Sequence, residues 1–289
     1  MIRLGVVGHP GYAGLPGVLR TLGELAPALG LELRFERELH AAFGTGALFE
    51  RPEEIDALLT LGGDGTLLRG ARIIAPHPAP ILGINLGRLG FLTCCPADQL
   101  SNALMRFARG DYVTEQRMAL SARVLDTRGV ERQQWFALND VVLHKGGFAR
   151  MVKIAVSANG EPMATYAADG VVLSTPTGST AYSLSAGGPV LYPTLETIVV
   201  TPVSAHTLAI RAVILPSSAE VTLQASDGPE ELLVTVDGQV GTNVGPGEIL
   251  SVRRAPGGVF IIRFPGTSFF ATMRDKLGWG GLVERDEPG

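Results

Sequence analysis

The amino-acid sequence predicts two domains of different fold class, an α/β domain followed by an all-β domain. Over the first hundred of 289 residues, short apolar runs alternate with helical patterns. From about Tyr112, β-branched runs separated by Gly, Pro, Asn and Asp dominate. The first pattern is typical of a parallel sheet covered by helices, and the second of packed antiparallel sheets or a barrel. The predicted fold is therefore a Rossmann-like parallel α/β domain with a β-sandwich-like second domain.

Six elements are predicted in the α/β domain, in the order strand, helix, strand, strand, helix, strand. Leucines at positions 15, 19, 22, 25 and 29 have the spacing of one helix face. Residues 31–35 look extended, and the other predicted strands are short apolar runs. The predicted strands are residues 2–7, 31–35, 55–61 and 80–85, and the predicted helices are residues 15–29 and 67–75.

The second part begins with helical spacing over residues 97–110 and then reads as a series of strands. The predicted strands are residues 120–125, 135–143, 152–156, 170–174, 198–203, 212–215, 220–223, 232–236 and 259–264. One helical turn is predicted at 180–186, and an amphipathic helix at 267–281. We place the domain boundaries after residues 96 and 255. This gives an α/β domain (1–96), a β-rich domain (97–255) and a carboxyl-terminal segment (256–289).

Composition excludes several classes of protein. A hydrophobic content of 46% excludes intrinsic disorder, and a net charge of −4 argues against nucleic acid as the main partner. No run approaches the ~20 apolar residues that cross a bilayer, and the first residues lack the pattern of a signal peptide. The only cysteines, Cys94 and Cys95, are adjacent, which rules out an ordinary disulfide framework and indicates a reducing, cytoplasmic location.

The most distinctive short segment is the glycine-rich run 62–66 (GGDGT), between a predicted strand and a predicted helix. Ligands bind at the carboxyl ends of strands in open α/β sheets, and bare backbone N–H groups at a helix start favour phosphate. Asp64 would repel phosphate unless it contacts a metal or accepts a proton from an attacking hydroxyl. The alternative is a tight turn in which Asp64 or Thr66 is a helix N-cap.

A second segment, residues 175–189 (TPTGSTAYSLSAGGP), combines hydroxyl side chains, a tyrosine and three glycines with no charge. Hydroxyls bind ribose or phosphate oxygens without adding charge, and glycines permit close approach. A helix that starts at Ser179 or Thr180 would direct its amino terminus at an anion. The alternative is a polar loop with a good N-cap.

Three short segments that each contain one aspartate give weaker functional signals. Asn139-Asp140 lies in an apolar run, and it either receives base or ribose groups or forms a strand-end turn. Asp169-Gly170 and the 237–239 segment (DGQ) are turn signals first and ligand contacts second.

The remaining candidates have less local support. Arg69 lies one helical turn beyond Asp64, where it would meet a phosphate or remain a solvated charge. Arg150 has no local argument. The five histidines lack metal-ligand spacing, and we interpret the two cysteines as packing residues.

Taken together, these segments resemble the NAD kinase family, and the matching blocks follow in order along most of the chain. They are residues 62–66 (GGDGT), 85–92 (NLGRLGFL), 139–140, 169–170, 175–189, 237–239 and 274–279 (RDKLGW). The first block is shared with diacylglycerol and sphingosine kinases, whereas the 175–189 block is highly specific. The family pattern is often Asn-Glu where this chain has Asn139-Asp140.

The resemblance implies phosphoryl transfer to the 2′-hydroxyl of the adenosine ribose of NAD, which yields NADP. It implies an α/β domain and a β-rich domain with NAD between them, and a chain end that returns to the first domain. It also implies Asp64 as general base, with Gly65 as a backbone contact, Arg69 near phosphate and Phe91 packed near the nucleotide. By the same resemblance, the remaining NAD contacts are Asn139, Asp140, Arg150, Asp169, Thr180, Ala181, Tyr182, Ser183, Leu184, Ser185 and Gln239.

Further expectations follow from the same resemblance. The cofactor is a divalent cation, Mg²⁺ by preference, with protein ligands that the sequence does not identify, and the donor is ATP or polyphosphate. The partners are these small molecules in a homodimer or homotetramer, without nucleic acid or membrane. Two other functions compete: a lipid kinase with the same glycine-rich loop, and a module that senses NAD without turnover. The 175–189 block argues against the first, and Asp64 argues against the second.

Overall fold

The computed structural model describes residues 1–44, 46–87, 90–146, 152–205, 211–227, 232–266 and 268–279. The chain divides into two compact units. The first comprises Met1–Gly70, Ala79–Glu115 and the described residues of Ile261–Gly289, and the second comprises Ala71–Pro78 and Gln116–Phe260. These units divide after residues 70, 78, 115 and 260, whereas the sequence places its two boundaries after residues 96 and 255.

The first unit contains a largely parallel sheet with helices. Its strands are β1 (Ile2–Gly8), β2 (Leu31–Phe35), β3 (Ala47–Leu48), β4 (Ala57–Leu61), β5 (Ile81–Asn85), β6 (Cys95–Pro96) and β7 (Val113–Arg117). Its helices are α1 (Leu15–Leu25), α2 (Arg37–Phe43), α3 (Asp64–Ile74), whose last turn belongs to the second unit, and α4 (Leu100–Arg109). Pro16 near the start of α1 and the left-handed Gly110 after α4 explain where these helices begin and end.

The end of the described chain also belongs to this unit. Strand β20 (Val259–Arg263) pairs in parallel with β5, and helix α6 (Phe269–Leu277) follows it. The sheet order is β3-β2-β1-β4-β5-β20-β7, with β6 paired to β5. The predicted parallel α/β fold, with a chain end that returns to it, is therefore confirmed.

The second unit is a β-sandwich. Its strands are β8 (Leu120–Leu125), β9 (Glu131–Ala137), β10 (Asp140–Lys145), β11 (Val152–Ala158), β12 (Glu161–Ala168), β13 (Gly170–Ser174), β14 (Thr197–Val203), β15 (Val213–Pro216), β16 (Val221–Asp227), β17 (Leu232–Val236), β18 (Val240–Val244) and β19 (Ile249–Arg254). They form two six-stranded sheets, β15-β14-β13-β10-β17-β18 and β12-β11-β16-β19-β8-β9. Leu143 and Leu173 of the first sheet pack in one buried core with Ile154 and Val252 of the second. The predicted sandwich-like domain is confirmed.

Several boundaries differ from the sequence prediction. Helix α1 ends at Leu25, and α3 begins at Asp64 because the glycine-rich run itself forms the first helical turn. The predicted strand 135–143 is two strands separated at residues 138–139. Strand β12 was not predicted because it is an edge strand with an exposed proline and no clear alternation, which only an edge tolerates.

Candidate functional site

A cavity of about 270 Å³ lies at the carboxyl ends of β1, β4 and β5 in the first unit. The chain runs outward from β1 to β3 on one side and then places β4 on the other side of β1, so the strand order reverses between β1 and β4. Open α/β sheets bind ligands at such a switch point. The cavity is lined by His9, Gly11, Tyr12, Gly62, Gly63, Asn85, Leu86 and Gly87.

The two glycines after β4 have different structural roles. A Cβ on Gly62 would lie 2.1 Å from Oγ1 of Thr66, so the protein itself requires glycine there. A Cβ on Gly63 would meet no atom within 4 Å. Gly63 is exposed and lines the cavity, which leaves its backbone open to a ligand. Gly65 is likewise exposed, in the first turn of α3.

The Asp64 carboxylate holds the segment 91–93. Its Oδ2 accepts a hydrogen bond from the backbone N–H of Phe91 (2.8 Å), and its Oδ1 accepts from Leu92 (3.1 Å) and Thr93 (3.3 Å). A carboxylate oxygen has two lone pairs, so Oδ1 is fully used and Oδ2 can accept one further hydrogen bond. The Asp64 carboxylate can therefore accept one further hydrogen bond, at Oδ2. Asp64 follows the cavity-lining Gly63 in the sequence.

Arg263 on β20 holds the same segment from its carbonyl side. Its guanidinium donates to the carbonyl oxygens of Phe91 (2.8 Å) and Thr93 (3.2 Å) and to Oε2 of Glu115 (3.1 Å). The Phe91 ring lies 6.2 Å from the ring of Phe269 in α6, centroid to centroid. Sequence reasoning did not select Arg263, because its partners lie 148 or more positions away and two of them are main-chain atoms.

Arg69 is engaged within the first unit. Its guanidinium donates to Oε1 of the buried Glu36 (2.8 Å), to Oε2 of Glu38 (2.9 Å) and to the carbonyl oxygen of Gly8 (2.6 Å). Two carboxylates thus balance its charge. The side chain ties the start of α2 to the end of β1, beside the cavity-lining residues that follow β1.

In the second unit, Asp237 organises the turn that carries Asn139 and Asp140. Its carboxylate accepts hydrogen bonds from three successive backbone N–H groups, those of Leu138 (3.1 Å), Asn139 (2.7 Å) and Asp140 (3.2 Å). Asp237 has a φ of 51°, which matches its turn position. No hydrogen bond of the Asn139 side-chain amide occurs within the described residues, so this amide is available to a ligand.

The Asp140 carboxyl is buried close to a second carboxylate. Burial, together with the charge of Asp237, raises the pKa of Asp140 to about 7. Burial also raises the pKa of Asp237, although the hydrogen bonds from residues 138–140 and the charge of Arg72 oppose this. Nη1 of Arg72 lies 4.0 Å from Oδ2 of Asp237, and its Nη2 donates to Oε1 of Gln239 (2.7 Å). Sequence reasoning treated residue 237 as a turn residue first and a ligand contact second, and it did not select Arg72.

The hydroxyl-rich segment 175–189 has an inward and an outward set of side chains. Four hydroxyls are buried and bonded within the protein, and one of them, that of Thr177, accepts a hydrogen bond from Arg117 (3.3 Å). Thr175 donates to the carbonyl of Leu138 (2.6 Å), Ser179 to that of Pro176 (2.7 Å), and Ser183 pairs with the Thr201 hydroxyl (3.0 Å). Tyr182 and Ser185 are exposed, and Thr180, Ala181 and Leu184 are half-buried.

The local structure of this segment differs from the prediction. A 3₁₀ turn (Thr177–Thr180) comes first, and the α-helical turn α5 (Tyr182–Ser185) has only four residues. No helix starts at Ser179 or Thr180. Gly178 is required because a Cβ there would lie 2.1 Å from the carbonyl oxygen of Asn139, so this segment packs directly on the Asn139 turn.

The remaining predicted site residues are Asp169 and Arg150. The Asp169 carboxylate forms an ion pair of 2.7 Å with Nζ of Lys145 at the end of β10. Arg150 lies outside the described residues.

Among the residues that the structure describes, His, Cys, Asp and Glu do not gather in a group of three or more that could hold a metal ion. None of the helices in the same residues combines the length and apolar character needed to cross a bilayer.

Known proteins match this chain in two domains and over its whole length. The ATP-NAD kinase N-terminal domain matches residues 43–112, and the ATP-NAD kinase C-terminal domain matches residues 138–264. The NAD kinase of Gemmatimonas aurantiaca is 59% identical over 285 residues and 99% of each chain. That of Heliobacterium modesticaldum is 44% identical over 81% of this chain and 82% of its own.

Solved structures show the same fold. A yeast NADH kinase complexed with NADH superposes with a TM-score of 0.87 at 22% identity, over 99% of this chain and 90% of the yeast chain. An NAD kinase from Archaeoglobus fulgidus in complex with ATP gives a TM-score of 0.71 at 23% identity, over 96% and 98%. Two family domains and a full-length relative at 59% identity establish that the chain belongs to the NAD kinase family and is an enzyme of the kinase class.

Proposed function

We propose that this enzyme transfers a terminal phosphoryl group to the 2′-hydroxyl of the adenosine ribose of NAD and so produces NADP. The observation that carries the proposal is Asp64, whose Oδ2 retains one acceptor position directly after the glycine-lined cavity. An alkyl hydroxyl is a weak nucleophile at neutral pH, so a carboxylate within hydrogen-bond reach assists its attack. The related proteins that bind NADH or ATP support this substrate pair.

In the proposed reaction, the 2′-oxygen of NAD forms a bond to the terminal phosphorus of the donor. The bond between that phosphorus and its bridging oxygen breaks, and the remainder of the donor leaves with the electron pair. The hydroxyl proton passes to Oδ2 of Asp64. Residues 91–93 keep the carboxylate fixed, since positioning contributes most of the rate in phosphoryl transfer.

Two sets of residues carry the proposed contacts to NAD and to the donor. The Asn139 amide and the Asp140 carboxyl bind adenosine groups of NAD. Asp237 fixes these two residues by accepting hydrogen bonds from their backbone N–H groups. The glycine-rich cavity binds donor phosphates through backbone N–H groups, near Gly65 and Arg69. The further NAD contacts are Phe91, Arg150, Asp169, Gln239 and the segment Thr180, Ala181, Tyr182, Ser183, Leu184, Ser185. Ser183 contributes its backbone, because its hydroxyl is buried on Thr201.

The family resemblance also implies a divalent cation. The described residues offer no cluster of three ligands, which fits Mg²⁺ held mainly by donor phosphates and water. When bound, the cation neutralises charge on the phosphates. We further propose a cytoplasmic homodimer or homotetramer. Analytical ultracentrifugation of the purified chain tests the oligomeric state.

One experiment tests function and donor together. Purified full-length protein is incubated with NAD and Mg²⁺, with either ATP or polyphosphate, and the product is measured with an NADP-specific dehydrogenase. We expect NADP with at least one donor. A 3′-phosphate product is not a substrate for that dehydrogenase. Absence of NADP with both donors, from protein shown to be folded by circular dichroism, would contradict the proposal.

A further inference from the structure

The adjacent cysteines Cys94 and Cys95 bring their two sulfur atoms close together in the first unit. Both residues are buried, at 7% and 5% exposure, and the Cys94 thiol donates to the Cys95 sulfur at 3.5 Å. This contact lowers the pKa of Cys95 and, with burial, raises that of Cys94. The chain has no other cysteine, so these thiols are its entire complement.

A second cavity gives a small molecule room beside the two sulfur atoms. It has a volume of about 230 Å³ and belongs entirely to the first unit. Its lining includes both cysteines, the amide side chains of Gln99 and Asn102, and Arg106. The Arg106 guanidinium lies 4.4 Å from the centre of the Phe264 ring, which also borders the cavity. The cavity is separate from the switch-point cavity, with which it shares no lining residue.

The geometry favours a bridging ligand over a disulfide. Adjacent Cα atoms are about 3.8 Å apart across a trans peptide, which is shorter than the roughly 4.4–6.8 Å of ordinary disulfides. Two thiolates on one centre with bonds of about 2.3 Å lie roughly 3.3 Å apart at the near-right angles of a pyramidal trivalent centre such as arsenic(III), and roughly 3.8 Å apart on a tetrahedral ion. The observed 3.5 Å separation of the sulfur atoms lies between these two bridged distances.

From these observations we propose that Cys94 and Cys95 form a dithiol binding site for a single soft, thiophilic centre, specifically a trivalent arsenical. An arsenic(III) oxide that carries one organic group reacts with two thiols. Two arsenic–sulfur bonds form, the arsenic–oxygen bond breaks, and the oxygen leaves as water with both thiol protons. Arsenic remains trivalent, so the reaction needs no oxidant or reductant.

The site is coupled to Asp64 through one residue. Thr93 directly precedes Cys94, and its backbone N–H donates to Oδ1 of Asp64 at 3.3 Å. The backbone N–H of Cys94 donates to the carbonyl of Gly83 in β5 (2.8 Å), so the segment that carries the two thiols is anchored between β5 and Asp64. A ligand bonded to both sulfur atoms and seated in the adjoining cavity acts on this segment, and we expect it to slow the kinase reaction. This second consequence rests on the proposed function, whereas the binding site does not.

Intact-mass spectrometry of the folded full chain with phenylarsine oxide tests the site. We expect one phenylarsenic group per chain with loss of two hydrogen atoms. The adduct should survive excess monothiol, such as 2-mercaptoethanol, and be removed by 2,3-dimercaptopropanol. An adduct that forms only in denaturant, or one that monothiol removes, would overturn the proposal.

Two single variants, C94A and C95A, are the matched controls. Each retains one thiol, so any adduct should be lost in monothiol. A stable adduct on either variant would contradict a two-thiol site. Thermal unfolding identifies a variant that fails to fold, and Cys→Ser at the same position then replaces it. In a parallel assay, phenylarsine oxide should lower kcat about tenfold in the parent chain and not in the variants. A stable adduct on a fully active enzyme would support the two-thiol site and contradict its coupling to Asp64.

Discussion

A Cβ atom on Gly90 would lie 2.0 Å from Oδ1 of Asp64. Only glycine at this position therefore allows the Asp64 carboxylate to reach the backbone N–H groups of Phe91, Leu92 and Thr93. The chain bends around the carboxylate, and the site depends on a residue that has no side chain.

The Gly90→Ala variant should lose activity without losing its fold. The added methyl group displaces the Asp64 carboxylate, and a misplacement of about 1 Å can cost roughly a hundredfold in rate. Steady-state NADP formation measures the loss. Gly17→Ala is the matched control, since a Cβ at Gly17 in α1 meets nothing within 4 Å. Equal activity of the two variants would show that the Asp64 position does not matter.

The Asp64→Asn variant should retain NAD binding and lose turnover. An amide cannot accept the hydroxyl proton, and a general base contributes about 10²–10⁴-fold. Calorimetry measures the dissociation constant for NAD, and the NADP assay measures kcat. The substitution also weakens the contacts to residues 91–93, so thermal unfolding must show an intact fold. Unchanged kcat would reject Asp64 as the base.

The Gly63→Ala variant separates ligand binding from protein stability. Its Cβ meets no protein atom within 4 Å, so the unfolding midpoint should equal that of the parent chain. The methyl group occupies space in the switch-point cavity, so KM for the phosphoryl donor should rise several-fold. An unchanged KM for both ATP and polyphosphate would place the donor elsewhere.

The Asp140 carboxyl should make stability depend on pH. Its pKa is raised from 3.8 to about 7, so the folded state binds the proton more tightly than the unfolded state. The contribution of Asp140 to the free energy of unfolding is therefore fully present below pH 3.8 and is lost as the pH rises towards 7. This loss is on the order of 2–4 kcal/mol. The charges near it are the Asp237 carboxylate and, beside that, Arg72.

Denaturant unfolding at a series of pH values checks this expectation. Between pH 5 and 8, the unfolding free energy of the parent chain should fall more steeply than that of Asp140→Asn, which cannot ionise. Parallel curves for the two proteins would show that Asp140 titrates normally.

The Tyr182→Ala variant tests the 175–189 segment. Tyr182 is 44% exposed, so its truncation should leave stability nearly unchanged and weaken NAD binding through the loss of a ring contact. Tyr192→Ala is the control because Tyr192 has the same exposure and lies outside the proposed pocket. Equal dissociation constants for the two variants by calorimetry would remove Tyr182 from the pocket.

The sequence predicted elements whose signal is local, and it missed partners that are distant in the chain. Strand β2 was predicted with its observed bounds because alternating apolar and charged residues, bounded by glycine and a charged pair, are a local signal. The positions of Asp64 and Asn139 followed from short motifs. The role of Asp237 did not, since a turn residue in sequence becomes a triple acceptor only when β10 and β17 pair.

The same limit applies to charges and hydroxyls. The sequence suggested that Arg69 meets phosphate, but it could not indicate that Glu36 and Glu38, more than 30 residues earlier, already bind this guanidinium. Ser183 and Tyr182 are neighbours in one motif, yet Ser183 points into the protein and Tyr182 is exposed. Composition cannot separate these orientations, which depend on the neighbouring strand β14.

The position of β20 affects the order in which the enzyme can form during synthesis. This strand fills the place between β5 and β7, and its Arg263 supports the segment that holds Asp64. A ribosome releases the amino-terminal strands long before residue 263, and domains otherwise tend to fold in the order of synthesis. The sheet of the first unit therefore lacks β20 until the residues of the β-sandwich have been translated. Nascent chains arrested before residue 259 should be unable to phosphorylate NAD, however well their other elements have formed.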